Sequence, residues 1–166
     1  MDDPQILYSE HDGVHFLRFR GNILHDMAPM LEDFLDQLER HGAGHNYLLD
    51  LTETYNIDST MLGLLARIAN RVRERGDAPP TLVCSGEDII DLLIGIGFDQ
   101  VFQLMACDGA PLGEGRPLKA GATDHETLAR TMLNAHKELI ALKDDNRLLF
   151  DDVIQLLEGG LRPGKA

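Results

Sequence analysis

The feature that most constrains the fold is an alternation between short apolar runs and stretches of helical periodicity across residues 5–105. Two strand-like runs, residues 5–9 and 14–20, flank the dipeptide Asp12-Gly13, which is typical of a tight hairpin turn. Three helical patterns alternate with three further apolar runs, so the predicted order is ββαβαβαβ. Because strands joined through helices need crossover connections, this order predicts an α/β fold: a mixed β-sheet with helices packed on it.

The boundaries of the later elements come from turn residues and apolar spacing. The helices are predicted at residues 26–40, 59–75 and 87–96, and the strands at residues 46–52, 81–85 and 101–105. Asp26 is expected to cap the first helix, because a short acidic side chain there can accept hydrogen bonds from free backbone N–H groups. Pro29 in the first turn supports the same start.

A change in composition divides the rest of the chain. Residues 107–123 are rich in Gly and Pro and lack periodicity, so we interpret them as a linker. Residues 124–158 contain neither Gly nor Pro, and Gly159-Gly160 closes this stretch. The predicted organisation is a folded domain at residues 1–106, the linker, a helical extension at residues 124–158 and a flexible tail at residues 159–166.

The helical extension is too long for its own domain to cover. One continuous helix over it would be about 52 Å long at 1.5 Å per residue, against a diameter of roughly 35 Å for a domain of ~100 residues. Its apolar residues recur at steps of 3 and 4, which is the pattern of a coiled coil. A lone Asn at a core position, here Asn146, favours a parallel homodimer. Self-association is therefore expected through Leu128, Met132, Leu139, Leu142, Asn146, Leu149, Val153 and Leu156.

Other apolar residues keep two alternatives to the homodimer open. Leu133, Ile140 and Ile154 widen the apolar face beyond what a two-stranded coil needs. Four-helix packing, or docking on the body of the chain, would use this wider face. The two alternatives to self-association are therefore one long helix folded onto its own chain, and two helices separated by a break at Lys143-Asp144-Asp145-Asn146.

The charge of the chain excludes several kinds of partner. It has 28 Asp and Glu residues against 15 Lys and Arg residues, and its net charge is −13. Such a surface repels phosphate backbones and anionic lipids, which argues against nucleic-acid and membrane partners. No apolar run approaches the ~20 residues that span a bilayer. Cys84 and Cys107 form no CxxC pair, which fits the reducing cytoplasm.

The most informative stretch joins a buried strand to the start of a helix. Tyr47-Leu48-Leu49 is continuously apolar, and Asp58-Ser59-Thr60 opens the next helical pattern. The Ser59 hydroxyl is expected to cap the first backbone N–H groups, and Asp58 adds negative charge at the positive end of the helix. Taken alone, such a sequence is more often a cap than a functional site.

Three stretches together resemble the STAS domain, as found in bacterial anti-sigma factor antagonists. Leu49-Asp50-Leu51, followed by Ile57-Asp58-Ser59-Thr60 and by Leu62-Gly63, is similar to the central motif of the family. Residues 20–24 resemble the glycine turn after its second strand, and residues 97–102 resemble the entry to its last strand. The resemblance covers roughly residues 5–105 and implies a STAS-like fold.

The resemblance also implies a role in partner switching. In such proteins the serine at the position of Ser59 is phosphorylated by an anti-sigma factor that is also a serine kinase, and a PP2C-type phosphatase reverses the modification. The unmodified protein binds its partner, and the phosphorylated protein releases it without catalysing any reaction. Thr60 is the second candidate for phosphorylation. The expected partner-binding residues are Asn56, Ile57, Asp58, Ser59, Thr60, Met61 and Leu64. The family has Gly where Met61 stands, and Met fills the room that Gly leaves beside the serine.

Two other classes of function stay open. One is a non-switching STAS scaffold or transporter-accessory subunit, and the other is a binder of a small anion at the helix N-terminus after Ser59. His41 and His45 have metal-like spacing, but the two glycines between them deny a rigid helix face, so no metal site is expected. The sequence has no P-loop or nucleophile elbow, and we expect neither a cofactor nor catalytic residues.

Overall fold

The structure is a computed structural model that describes residues 3–42, 46–107 and 115–161. The strands are β1 (Gln5–His11), β2 (Val14–Ile23), β3 (Asn46–Ile57), β4 (Thr81–Cys84), β5 (Gln103–Ala106) and β6 (Arg116–Pro117). The helices are α1 (Ala28–Arg40), α2 (Ser59–Glu74), α3 (Glu87–Gly95), α4 (His125–Leu142) and α5 (Arg147–Leu161).

The strands form one mixed sheet in the order β5-β4-β3-β2-β1-β6. β1 pairs antiparallel with β2 and with β6, whereas the pairs β2–β3, β3–β4 and β4–β5 are parallel. Asp12 and Gly13 have φ values of 50° and 80°, which is the left-handed conformation that a tight hairpin between antiparallel strands requires. The α/β fold class and the order of the first eight elements are confirmed.

The core lies between the sheet and the helices, and α2 is at its centre. Leu17 and Phe19 of β2 and Leu49 and Leu51 of β3 are fully buried in it. Every residue from 60 to 70 in α2 is buried, including its polar ones. A helix that only rested on a sheet would leave one face in water, so a second layer must cover α2.

That second layer is the C-terminal extension, and it is not one continuous helix. α4 ends at Leu142, Lys143 is extended with φ −154° and ψ 121°, and α5 starts at Arg147 after a 3-10 turn. The prediction of one continuous helix was therefore wrong, and the structure has the alternative, two helices separated at Lys143–Asn146. α4 packs against α2 and α1, and α5 packs against α4.

Asn146 gives the physical reason for the break. Its side chain is buried, and its Nδ2 donates to the carbonyl oxygens of Leu139 at 2.7 Å and of Ile96 at 3.1 Å. One carbonyl lies in the last turn of α4 and the other directly follows α3. The residue expected to pair with its copy across a dimer thus closes a corner within one chain.

Smaller corrections concern the ends of elements. Asp26 does not cap α1, because it lies in the 3-10 turn His25–Met27 and the N-cap residue is Met27, which makes no side-chain capping hydrogen bond. Gly159 and Gly160 do not close the extension but lie inside α5. Part of the predicted linker forms β6, which pairs with Leu7 and Tyr8 at the sheet edge. Residues 108–114 of the linker, residues 162–166 of the tail and His45 lie outside the described residues.

Candidate functional site

The junction between β3 and α2 is held by Asp58. Its backbone is extended, with φ −90° and ψ 171°, and its Oδ1 accepts a hydrogen bond from the backbone N–H of Met61 at 3.0 Å. Its Oδ2 accepts one from the backbone N–H of His25 at 2.7 Å, and its own N–H donates to the carbonyl of Ile23. Asp58 is therefore the cap of α2, and the expectation that Ser59 caps this helix is corrected.

Ser59 is the first residue of α2, and its hydroxyl group faces α4. The Oγ atom lies 2.9 Å from Nε2 of His136, and Nδ1 of the same ring lies 2.6 Å from the carbonyl oxygen of Met132. A carbonyl oxygen can only accept, so Nδ1 carries the proton. In the neutral ring Nε2 is then an acceptor, and the Ser59 hydroxyl donates to it. The side chain of Ser59 is half-buried, and that of His136 is buried.

One turn further along α2, the backbones of the two helices touch. A Cβ atom placed on Gly63 would lie 2.1 Å from the carbonyl oxygen of Ala135, so only glycine fits there. Ala135 is fully buried at the contact. A glycine facing an alanine lets two helices approach more closely than larger side chains allow, and this fixes where α4 sits along α2.

Polar contacts surround the close approach of Gly63 to Ala135. Nδ2 of Asn70 donates to the carbonyl of Glu138 at 3.0 Å, and the Arg73 guanidinium donates to the carbonyl of Ala141 at 3.3 Å. On α1, Glu32 accepts a hydrogen bond from Thr131 of α4 at 2.8 Å. Burial raises the pKa of the Glu32 carboxyl group, and the hydrogen bond from Thr131 opposes that shift.

The structure separates the predicted partner-binding residues into two groups. Asn56 is exposed, and Asp58 and Ser59 are half-buried. The four buried residues are Ile57, Thr60, Met61 and Leu64. Met61 is fully buried in the core, and Thr60 is 2% exposed, so its hydroxyl is not on the surface.

The predicted self-association residues also differ in how far they are buried. Leu139, Leu142 and Asn146 are buried within the chain. Leu128, Met132 and Val153 are half-buried, whereas Leu149 and Leu156 are exposed.

Asp50, the other acid of the motif, has a structural role. Its Oδ2 accepts a hydrogen bond from Arg18 at 3.2 Å in a buried ion pair between β3 and β2. Its Oδ1 accepts from both the backbone N–H and the hydroxyl of Thr52. With its carboxylate engaged in this way, Asp50 fixes the parallel pairing of the two central strands.

Sequence reasoning missed four residues of this site: His25, Glu32, Ala135 and His136. Their partners lie between 33 and 99 positions away in the sequence, so no local spacing connects them. In the described part of the chain, no three His, Cys, Asp or Glu side chains come together as metal ligands would. Among the same residues, no helix combines the length and apolar content needed to span a bilayer.

Comparison with known proteins assigns the fold. The family model for the STAS domain matches residues 5–107. The phosphorylated form of the Bacillus cell fate determinant SpoIIAA is similar in structure, with a TM-score of 0.52 and 12% identity over 61% of this chain and 90% of that one. An anti-sigma factor antagonist from Mycobacterium paratuberculosis also has a TM-score of 0.52, with 22% identity over 61% of this chain and 85% of its own. No curated protein matches the sequence. α4 and α5 lie beyond the residues that the family model matches.

Proposed function

Because this chain belongs to the STAS domain family, we propose that it is an anti-sigma factor antagonist in a partner-switching pathway. The unmodified chain binds an anti-sigma factor that is also a serine kinase. Phosphorylation of Ser59 releases that partner, and a PP2C-type phosphatase restores binding. The chain itself catalyses neither step, and it acts in the cytoplasm, where sigma factors work.

The observation that carries the proposal is the position of Ser59 in the first turn of α2. A phosphoserine adds about −1.5 to −2 charges at pH 7. The start of a helix tolerates an anion, because free backbone N–H groups and the helix dipole favour negative charge there. Asp58 caps α2 without help from the Ser59 hydroxyl, so the hydroxyl can be modified without removing the cap. The modification should therefore leave the fold intact and change what contacts this surface.

The residues proposed to contact the partner have different roles. Asn56, Asp58 and Ser59 supply the accessible part of the surface. Ile57, Thr60, Met61 and Leu64 lie beneath it and hold its shape. A dianion at Ser59 acts on the accessible part, where it meets the acidic side chain of Asp58 and whatever surface the partner presents.

The experiment compares full-length baits that carry Ser59→Ala or Ser59→Asp. Ser59→Ala should retain the kinase partner from a lysate of the source organism, and Ser59→Asp should retain at least about tenfold less, as quantified by mass spectrometry. Ser85→Asp is the control for the added charge, because Ser85 lies between β4 and α3 and its hydroxyl donates to the carbonyl oxygen of Thr52. Phosphate mapped to a residue other than Ser59 after incubation with the captured kinase and ATP would contradict the proposal.

One observation favours a second candidate, a non-switching STAS scaffold. The Ser59 hydroxyl already has a partner within the chain, His136, and a serine kept for that contact alone needs no kinase. In that case the Ser59→Ala and Ser59→Asp baits retain the same proteins in the same amounts.

We also propose that the chain is a homodimer through α5, where Leu149 and Leu156 are 59% and 77% exposed.

A further inference from the structure

The face of α2 that begins at Ser59 is covered by the chain itself. α4 runs across it, with His136 on the Ser59 hydroxyl and Ala135 against Gly63. The side chains of Ala135 and Leu139 are completely buried in this contact and the adjoining core. Neither a kinase active site nor a partner surface can approach the Ser59 hydroxyl from the side that α4 occupies.

The contacts on this face fit a helix in general more than one particular sequence. Asn70 and Arg73 both donate to main-chain carbonyl oxygens close to the C-terminal end of α4, those of Glu138 and Ala141, and the last turn of any helix presents carbonyl oxygens that are free to accept. Gly63 requires only a small residue opposite it. Two contacts across this interface depend on particular side chains of α4: the hydrogen bond from Ser59 to His136, and the ion pair between Arg71 and Glu138 at 3.5 Å. The face therefore selects an amphipathic helix with a small residue at its centre.

We infer that this α2 face, made of Ser59, Gly63, Asn70 and Arg73, is a receptor for an amphipathic helix and that α4 is its resident occupant. Resting on the proposed function, the inference adds that the anti-sigma factor and the phosphatase reach Ser59 only in chains whose α4 has left. Binding is then a competition between a helix in the same chain and a helix in the partner. The affinity measured for a partner is reduced by the fraction of chains that are open.

The test opens α4 by substitutions in the full-length chain. Ala135→Arg places a long charged side chain against Gly63, and Asn134→Arg is its matched control, because Asn134 is the exposed neighbour on the same helix. The probe is a fluorescently labelled peptide with the sequence of residues 124–143. It should bind the Ala135→Arg chain at least about tenfold more tightly than the wild-type or Asn134→Arg chains, because only the first has a vacant face.

A second variant opens the interface from the other helix. Gly63→Ala places a methyl group into the backbone of Ala135, whereas Gly95→Ala, the control, meets nothing within 4 Å. Hydrogen exchange of α4 should be about tenfold faster in Gly63→Ala and unchanged in Gly95→Ala, while the amides of β3 and β4 stay protected. The Gly63→Ala chain should not bind the peptide, since its receptor face is itself altered.

The results of these experiments distinguish failure of the helix receptor from failure of the phosphorylation switch. Unchanged exchange of α4 in Gly63→Ala, or no peptide binding by a folded Ala135→Arg chain, would overturn the receptor. If Ala135→Arg unfolds the sheet as well, seen as lost protection of β3, the Gly63→Ala exchange decides alone. Should both variants open as expected while the Ser59→Ala and Ser59→Asp baits retain the same proteins, the helix receptor stands and the phosphorylation switch fails.

Discussion

The two helices of the C-terminal extension come from one heptad-patterned stretch of sequence, yet α4 is covered by the rest of the chain much more completely than α5. α4 buries Ala135 and Leu139 completely, whereas α5 leaves Leu148 and Leu156 91% and 77% exposed. Heptad spacing decides which residues share a face, but it does not decide what covers that face. Here the difference comes from α2, which offers α4 a glycine at the point of closest approach.

The sharpest test of this difference is a matched pair of leucine substitutions. Leu139→Asp should lower the free energy of unfolding by about 3–5 kcal/mol, because it removes a buried side chain and places a carboxylate in the core. Leu156→Asp changes the same residue type on exposed surface and should cost less than about 0.5 kcal/mol. Urea unfolding followed by circular dichroism measures both.

Equal destabilisation by the two leucine substitutions would remove the distinction between the helices. A control for helix propensity is built into the pair, because both substitutions replace Leu with Asp inside a helix. A difference below about 1 kcal/mol would mean that α4 is not docked on the domain in solution.

The corner between the two helices provides the next test. Asn146→Ala removes two hydrogen bonds and leaves the carbonyls of Leu139 and Ile96 without this donor, so we expect a loss of about 1–3 kcal/mol. Asn134→Ala changes an exposed Asn of α4 and should alter stability by less than about 0.5 kcal/mol. If Asn146→Ala is as mild as this control, the corner is held by something other than that side chain.

The first 105 residues could be predicted well because their signals are local. The hairpin turn at Asp12-Gly13, the apolar runs of the strands and the three helical patterns all lie within a few residues of the structure they determine. The position of Ser59 at the start of α2 was predicted in the same way. The identity of the capping residue was not, because the residue with the extended backbone is Asp58, whose side chain also accepts a hydrogen bond from the turn at His25.

The extension could not be predicted to the same degree, because what holds it is distant in sequence. Gly63 and Ala135 are each ordinary residues in a helix, and their importance appears only when the two helices meet. Asn146 fits a dimer core by its heptad position, but its side-chain amide donates instead to two carbonyl oxygens within the same chain. A periodic pattern thus allowed both arrangements, and tertiary contacts chose between them.

The exposed face of α5 gives the prediction with the smallest effect on stability. Leu149, Val153 and Leu156 lie at positions i, i+4 and i+7, and Leu149 and Leu156 are exposed along this stripe. The double variant Leu149→Ser/Leu156→Ser should shift full-length chains from dimer to monomer in sedimentation velocity, while each folded chain keeps its stability within about 0.5 kcal/mol. Leu148→Ser is the control, because Leu148 is exposed but lies off the stripe. A wild-type chain that stays monomeric up to high concentration would contradict the homodimer and show that the apolar face of α5, unlike that of α4, stays exposed to solvent.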